Sequence, residues 1–263
     1  MKKIIALLLT LTLMLSLAVT AFAADSTNFV VLGDSIAHGH GLEDKENYAY
    51  GALIAKANGY NYFNHAYDGD TSFDLNKRLG TSAVITSLKK ADIVAISIGG
   101  NNFLRGGFVE MILKGIVGNY DMFDETAEEF YDNFNLAIDK IRAINPDVTI
   151  LVQTVYNPRN DLFAGVYQKA LDRLNKYIRK AAAEKDLTLV EIAAAFDGHA
   201  GEYIQGDVVH PNERGHYNIA LEYLKVLKDM GLGTAEKPLI DEEEVIVYGL
   251  WNQIIAFLKS FFN

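Results

Sequence analysis

The sequence predicts an α/β domain: a three-layer α/β/α sandwich on a mostly parallel sheet. Three observations carry this expectation. Short apolar runs recur along the chain, two of them closed by glycine. Segments of helical periodicity separate the later runs, the arrangement of βαβ units. The chain has 263 residues, half of them hydrophobic and 22% charged, enough for one domain with a full core.

The elements follow in chain order. Residues 1–23 read as a secretory signal rather than part of the fold. Lys2 and Lys3 precede an apolar run from Ile4 to Val19, broken only by Thr and Ser, and Ala21-Phe22-Ala23 supplies the small residues of a cleavage site. An uncleaved membrane anchor is the competing reading; the Ala-x-Ala site and the modest apolar length favour cleavage and a secreted or extracytoplasmic protein. Residues 29–32 (FVVL) form the first buried strand, closed by Gly33. Residues 60–63 are a weaker candidate. Residues 92–98 (DIVAISI) form the next strand, closed by Gly99 and Gly100. Phe130, Phe134, Ala137, Ile138 and Ile141 recur at helical spacing, and Asn145-Pro146 ends that helix. A strand at 148–152, a helix marked by Phe163, Val166, Ala170, Leu174, Tyr177 and Ile178, and a strand at 187–192 complete the pattern. A catalytic-size domain is expected over residues 24–238.

Residues 239–263 form an acidic and then amphipathic tail. Asp241 to Glu244 favour a helix start, and Val247, Leu250, Trp251, Ile254, Ile255, Leu258, Phe261 and Phe262 form an apolar stripe. Packing on its own domain is the plainest role. A membrane surface or a second copy of the chain are the alternatives.

Composition excludes several classes. A net charge of −10 with no basic run longer than a pair argues against nucleic acid as partner. The absence of cysteine removes disulfides, Cys-based metal sites and a Cys nucleophile. No run of His and Asp at metal-ligand spacing appears, which counts against a metal-dependent phosphodiesterase.

In open α/β sheets ligands bind beyond the carboxyl ends of the strands, so the loops after the apolar runs matter most. Gly33-Asp34-Ser35 follows the first run. It can present a serine hydroxyl at the top of the sheet, or simply cap a helix. Asp68-Gly69-Asp70-Thr71 follows the weak strand and reads equally as a turn. Gly99-Gly100-Asn101-Asn102 combines backbone freedom with a side-chain N–H donor. Asp207-Val208-Val209-His210-Pro211 places an Asp three residues before a His, close enough to orient that imidazole.

Each piece is weak alone; their order is not. The blocks VVLGDSIAHGHG, NHAYDGDTS, ISIGGNN and DVVHPNERGH resemble those of the SGNH subgroup of the GDSL hydrolases. The resemblance spans nearly the whole central domain and implies a flavodoxin-like fold. It implies a nucleophile at Ser35, a triad completed by Asp207 and His210, and an oxyanion hole from the N–H groups of Ser35 and Gly69 with the Asn101 side chain. It implies no metal and no organic cofactor. Two departures stand out: Ile36 replaces the family's Leu, and Asn102 stands where an Asp is common.

The implied activity is serine ester hydrolysis. The apolar segment 103–123, just after Asn101, reads either as a lid or acyl-binding wall, favouring lipid-type esters, or as a core helix. A carbohydrate acetyl esterase is the alternative, which exposed aromatics among Tyr48, Tyr50 and Tyr156 would favour. A catalytically inactive surface-binding module of the same fold is the non-enzymatic alternative, and the intact set of five site residues argues against it. His38 and His40 are expected at the pocket rim or in solvent.

Overall fold

The computed structural model describes residues 26–105 and 108–259. The expected signal at 1–23 lies outside the described residues, as do Phe261 and Phe262 of the tail stripe.

Five parallel strands form one sheet in the order β2-β1-β3-β4-β5. They are β1 (Asn28–Gly33), β2 (Asn61–Asn64), β3 (Ile93–Ser97), β4 (Thr149–Gln153) and β5 (Thr188–Val190). The register pairs Val30 with Phe63 on one side and with Val94 on the other. Side chains alternate across the sheet, so each central strand feeds two cores. Phe29 and Val31 enter one core with Ile93, Ala95 and Leu151. Val30 and Leu32 enter the other with Val94, Ile96 and Val152. Strands buried on both faces read as unbroken apolar runs, which is why β1 and β3 are plain in the sequence. The edge strand β2 alternates exposed and half-buried residues, and its signal is weaker for that reason.

Helices cover both faces, giving the expected three layers. Tyr50–Asn58 (α3) and Glu213–Asp229 (α12) lie on one side. Ser72–Arg78 (α4), Asp121–Ile144 (α8) and Ala164–Glu184 (α9) lie on the other. Phe130, Phe134, Ala137, Ile138 and Ile141 form the buried stripe of α8. Fully burying a large apolar side chain contributes about 1.5–3 kcal/mol, so this stripe anchors the layer. Asn145 ends α8, its amide donating to the carbonyls of Leu88 and Ala91.

The chain leaves β1 for β2 on one side and then returns to place β3 on the other. The strand order therefore reverses at β1, opening a crevice above the ends of β1 and β3. Gly33 is needed at that end: a Cβ there would stand 1.9 Å from the Ser97 carbonyl oxygen.

Segment 103–123 packs in part into the core, the plainer of the two roles the sequence left open. Gly100–Arg105 (α6) and Phe108–Ile116 (α7) lead into α8. Phe103, Met111 and Phe123 are buried in the core, while Val109, Leu113 and Ile116 face outward.

The last helix, α13 (Glu242–Lys259), packs on α12, but not through the stripe the sequence suggested. Val245 is buried, Tyr248 stacks on Tyr48 with centroids 4.2 Å apart, and the Asn252 amide donates to Glu213 at 3.0 Å. Val247, Leu250, Trp251 and Ile254 occupy the opposite face and are exposed. The sets 245, 248, 249, 252 and 247, 250, 251, 254 have the same helical spacing. Periodicity finds the helix without saying which face docks.

Candidate active site

Ser35 opens Ser35–His38 (α1), one turn directly beyond β1. Asp34 caps that turn, its carboxylate accepting the Ile36 N–H at 3.0 Å, and its own N–H donates to Ser97 of β3. The turn thus sits across the crevice. Burial pushes the Asp34 carboxyl up to about 7, and the nearby charges of Asp70 and Asp68 push the same way.

The late block folds back over Ser35. Ile204 and Pro211 form an antiparallel bridge, and residues 205–210 loop between them. Val208 takes φ +58°, a left-handed conformation costing roughly 1–2 kcal/mol for an ordinary residue. The reversal brings Asp207 Oδ1 to the N–H groups of both Val209 and His210, at 3.0 Å each. Oδ2 lies 2.6 Å from His210 Nδ1. Burial alone would raise the Asp207 carboxyl, but these hydrogen bonds outweigh it and hold it below its ordinary value. An ionised carboxylate only accepts, so Nδ1 carries the proton and donates. Nε2 is then free to accept from Ser35 Oγ, 2.9 Å away. The three residues of the expected triad form one connected relay.

Two side chains that sequence reasoning did not assign hold this loop. The Gln205 amide donates to the carbonyls of Pro211 and His40, tying the His210 loop to the loop after α1. The Tyr156 hydroxyl, just past β4, donates to the Val209 carbonyl at 2.9 Å. The signal for Tyr156 was its place beyond the end of an apolar run. Gln205 carried none.

Gly69 lies in the turn from Tyr67 to Asp70, with φ +78°. Its neighbours are tied on both sides. His38 and His40 each donate Nδ1–H to Asp68 at 2.7 Å, which links the turn to the Ser35 loop. Those two hydrogen bonds outweigh burial and hold the Asp68 carboxyl low. On the other side the Asn101 amide donates to the Asp70 carbonyl at 3.0 Å. Ser35 and Asn101 line one pocket.

Asn102 explains its own departure from the common pattern. Its Oδ1 accepts the Ser72 N–H at 3.1 Å, as a carboxylate would, and its amide also donates to the Ser72 hydroxyl at 3.0 Å. The position latches the α4 start to the Asn101 loop.

The pocket runs from Ser35 between α7, α8 and α9. Phe103, Leu104, Met111, Ile112, Phe123, Val155, Val166 and Leu171 line it, so its interior is almost wholly apolar. Tyr48, Tyr50 and Tyr156 are all buried, and none forms an exposed aromatic platform. His40 does not simply face solvent: its ring lies against that of His210, with centroids 4.4 Å apart.

The five-stranded parallel sheet flanked by helices has the α/β architecture of its structural neighbours. Residues 31–217 match the sequence profile of the GDSL-like Lipase/Acylhydrolase family, and the chain belongs to that family. It is 25% identical over 219 residues to the uncharacterized protein YpmR of Bacillus subtilis, covering 76% of this chain and 81% of that one. It is 25% identical over 155 residues to the spore germination lipase LipC of Bacillus licheniformis, covering 57% of this chain and 70% of that one. Among solved structures, a phospholipase A1 from Streptomyces albidoflavus is 26% identical with a TM-score of 0.57, covering 78% of this chain and 99% of its own. A lipase from a goat rumen metagenome shares the fold with a TM-score of 0.66 at 21% identity, covering 79% and 99%.

Proposed function

We propose that the protein is a secreted serine ester hydrolase acting on lipid-type esters. The observation that carries this reading is the Asp207–His210–Ser35 relay at the mouth of an apolar pocket. His210 Nε2 takes the Ser35 proton as Oγ attacks the ester carbonyl. Asp207 holds the imidazole in the required tautomer and stabilises its charged form. The N–H groups of Ser35 and Gly69 and the Asn101 amide receive the oxyanion, each such donor contributing on the order of 100- to 1000-fold in rate. The protonated His210 gives its proton to the leaving alcohol, and water then releases the acyl group by the same route in reverse. The relay itself supplies nucleophile, base and acid, so the scheme calls on no metal or organic cofactor.

The apolar pocket favours an acyl chain over a bare acetyl group. The burial of Tyr48, Tyr50 and Tyr156 takes support from the carbohydrate reading. Export rests on the signal-like residues 1–23 ahead of the central domain, 24–238. Among the described residues no helix is long and apolar enough to cross a membrane. The exposed face of α13, Val247, Leu250, Trp251 and Ile254, offers a contact surface for lipid or for a second copy.

The test is hydrolysis of p-nitrophenyl esters from acetate to long acyl chains, by wild type and by Ser35→Ala. The expected result is turnover with an optimum above acetate, abolished by the substitution. Turnover of acetate alone would contradict the lipid assignment. No turnover of any ester would favour the inactive binding module.

A further inference from the structure

The ring contact of His40 with His210 has no part in the hydrolytic scheme, yet it gathers ligand chemistry. One ring nitrogen from each histidine and a carboxylate oxygen of Asp207 lie within 4.8 Å of one another. We propose that His40, His210 and Asp207 form an inhibitory site for a divalent cation of the zinc type.

The donor set defines the class of ion. Two imidazole nitrogens and one carboxylate oxygen suit zinc and its late transition-metal neighbours, whereas magnesium and calcium prefer all-oxygen sites. Three protein ligands with a fourth position open to water is a common zinc arrangement. The bonds are about 2.0–2.2 Å long, so the ligand atoms must draw closer by roughly 1 Å or more. The His40 side chain is 46% exposed and can make that adjustment by rotation, without disturbing the core.

The His40 imidazole is already prepared as a ligand. It donates Nδ1–H to Asp68. A carboxylate behind Nδ1 fixes the tautomer and leaves the Nε2 lone pair available. Asp68 thus stands to His40 as the outer carboxylate of a metal-binding histidine. Gln205 holds the His40 carbonyl against the His210 loop, so the approach of the two rings is built into the backbone.

Inhibition follows from the ligand set. With Asp207 as a ligand, His210 binds through Nδ1, and the ion replaces the Nδ1–H between the ring and Asp207. The neutral ring then carries its proton on Nε2, which no longer accepts from Ser35 Oγ. Removal of the ion restores the relay.

The inhibition arm rests on the proposed hydrolase reading; the binding arm does not. The experiment is calorimetric titration of the full chain with Zn2+, beside dose–response curves for ester hydrolysis, each normalised to its own metal-free rate. Wild type, His40→Gln and Asp68→Asn are compared, with Mg2+ as control and EDTA to reverse the effect. Wild type is expected to bind one Zn2+ and lose turnover, with EDTA restoring it and Mg2+ doing neither. Asp68→Asn is expected to weaken Zn2+ binding on the order of 10- to 100-fold, and His40→Gln at least as much. Inhibition shifts in parallel. Absence of Zn2+ binding in wild type overturns the proposal. So does equal Zn2+ affinity in a folded His40→Gln, because the ion would then act on His210 without the site. If no ester is hydrolysed at all, calorimetry still decides the site, and the hydrolase reading falls separately.

Discussion

Asp34 sits beside the proposed nucleophile with its carboxyl buried and pushed up from 3.8 to about 7. A raised value in the folded state means that protonation favours folding. The stabilisation is complete below 3.8 and is lost as pH rises through about 7. Asp34→Asn keeps an oxygen to accept the Ile36 N–H but carries no charge. We expect its Tm to exceed that of wild type by an amount that grows from about pH 5 to about pH 8. Thermal melts across that window check this, and parallel curves would contradict it. His216 works in the opposite sense. Burial first, and then the nearby His210, lower it to about 3, so its contribution is present above 6.5 and is lost as pH falls through about 3. Comparing wild type with Asp34→Asn cancels that background. At this scale the sequence was legible wherever chemistry lay in short strings: the Ser35, Gly69, Asn101 and His210 blocks are contiguous. The neighbours of those residues were not. His40 meets His210 across 170 positions, and Gln205 reaches His40 only because the loop over 205–210 folds back.

Among the elements, α7 and α9 wall the apolar pocket. Met111 and Ile112 of α7 face Val166 and Ala170 of α9 across the apolar cavity. Ala170 is half-buried at the pocket, so a larger side chain there fills space without opening the core. Ala170→Trp is expected to move the acyl-chain optimum toward shorter esters while turnover of short ones persists. A p-nitrophenyl ester series reads this, and an unchanged optimum would place the acyl chain elsewhere. The strands were plain in the sequence because β1 and β3 are buried on both faces, and the edge strand β2 was faint because it is not. Segment 103–123 was ambiguous for a physical reason. An amphipathic helix that closes a pocket and one that packs a core show the same period, and here Met111 does both. The tail shows the same limit: two faces of α13 share one spacing, and the exposed one is the more apolar.

For the whole molecule, the topology explains why residues so far apart in sequence meet. The reversal of strand order at β1 opens one crevice, and the loops after β1 and β3 both empty into it. The return of the chain over residues 205–210 adds the Asp and the His from above. The net charge of −10, with no basic run longer than a pair, argues against a polyanionic partner. The proposed role of Ser35 as an activated nucleophile is tested by covalent labelling. The full chain is treated with a fluorophosphonate probe and the adduct is mapped by peptide mass spectrometry. A single phosphonyl adduct on Ser35, absent from heat-denatured protein, is the expected result. Labelling of a different residue, or no labelling of the folded protein, would contradict it.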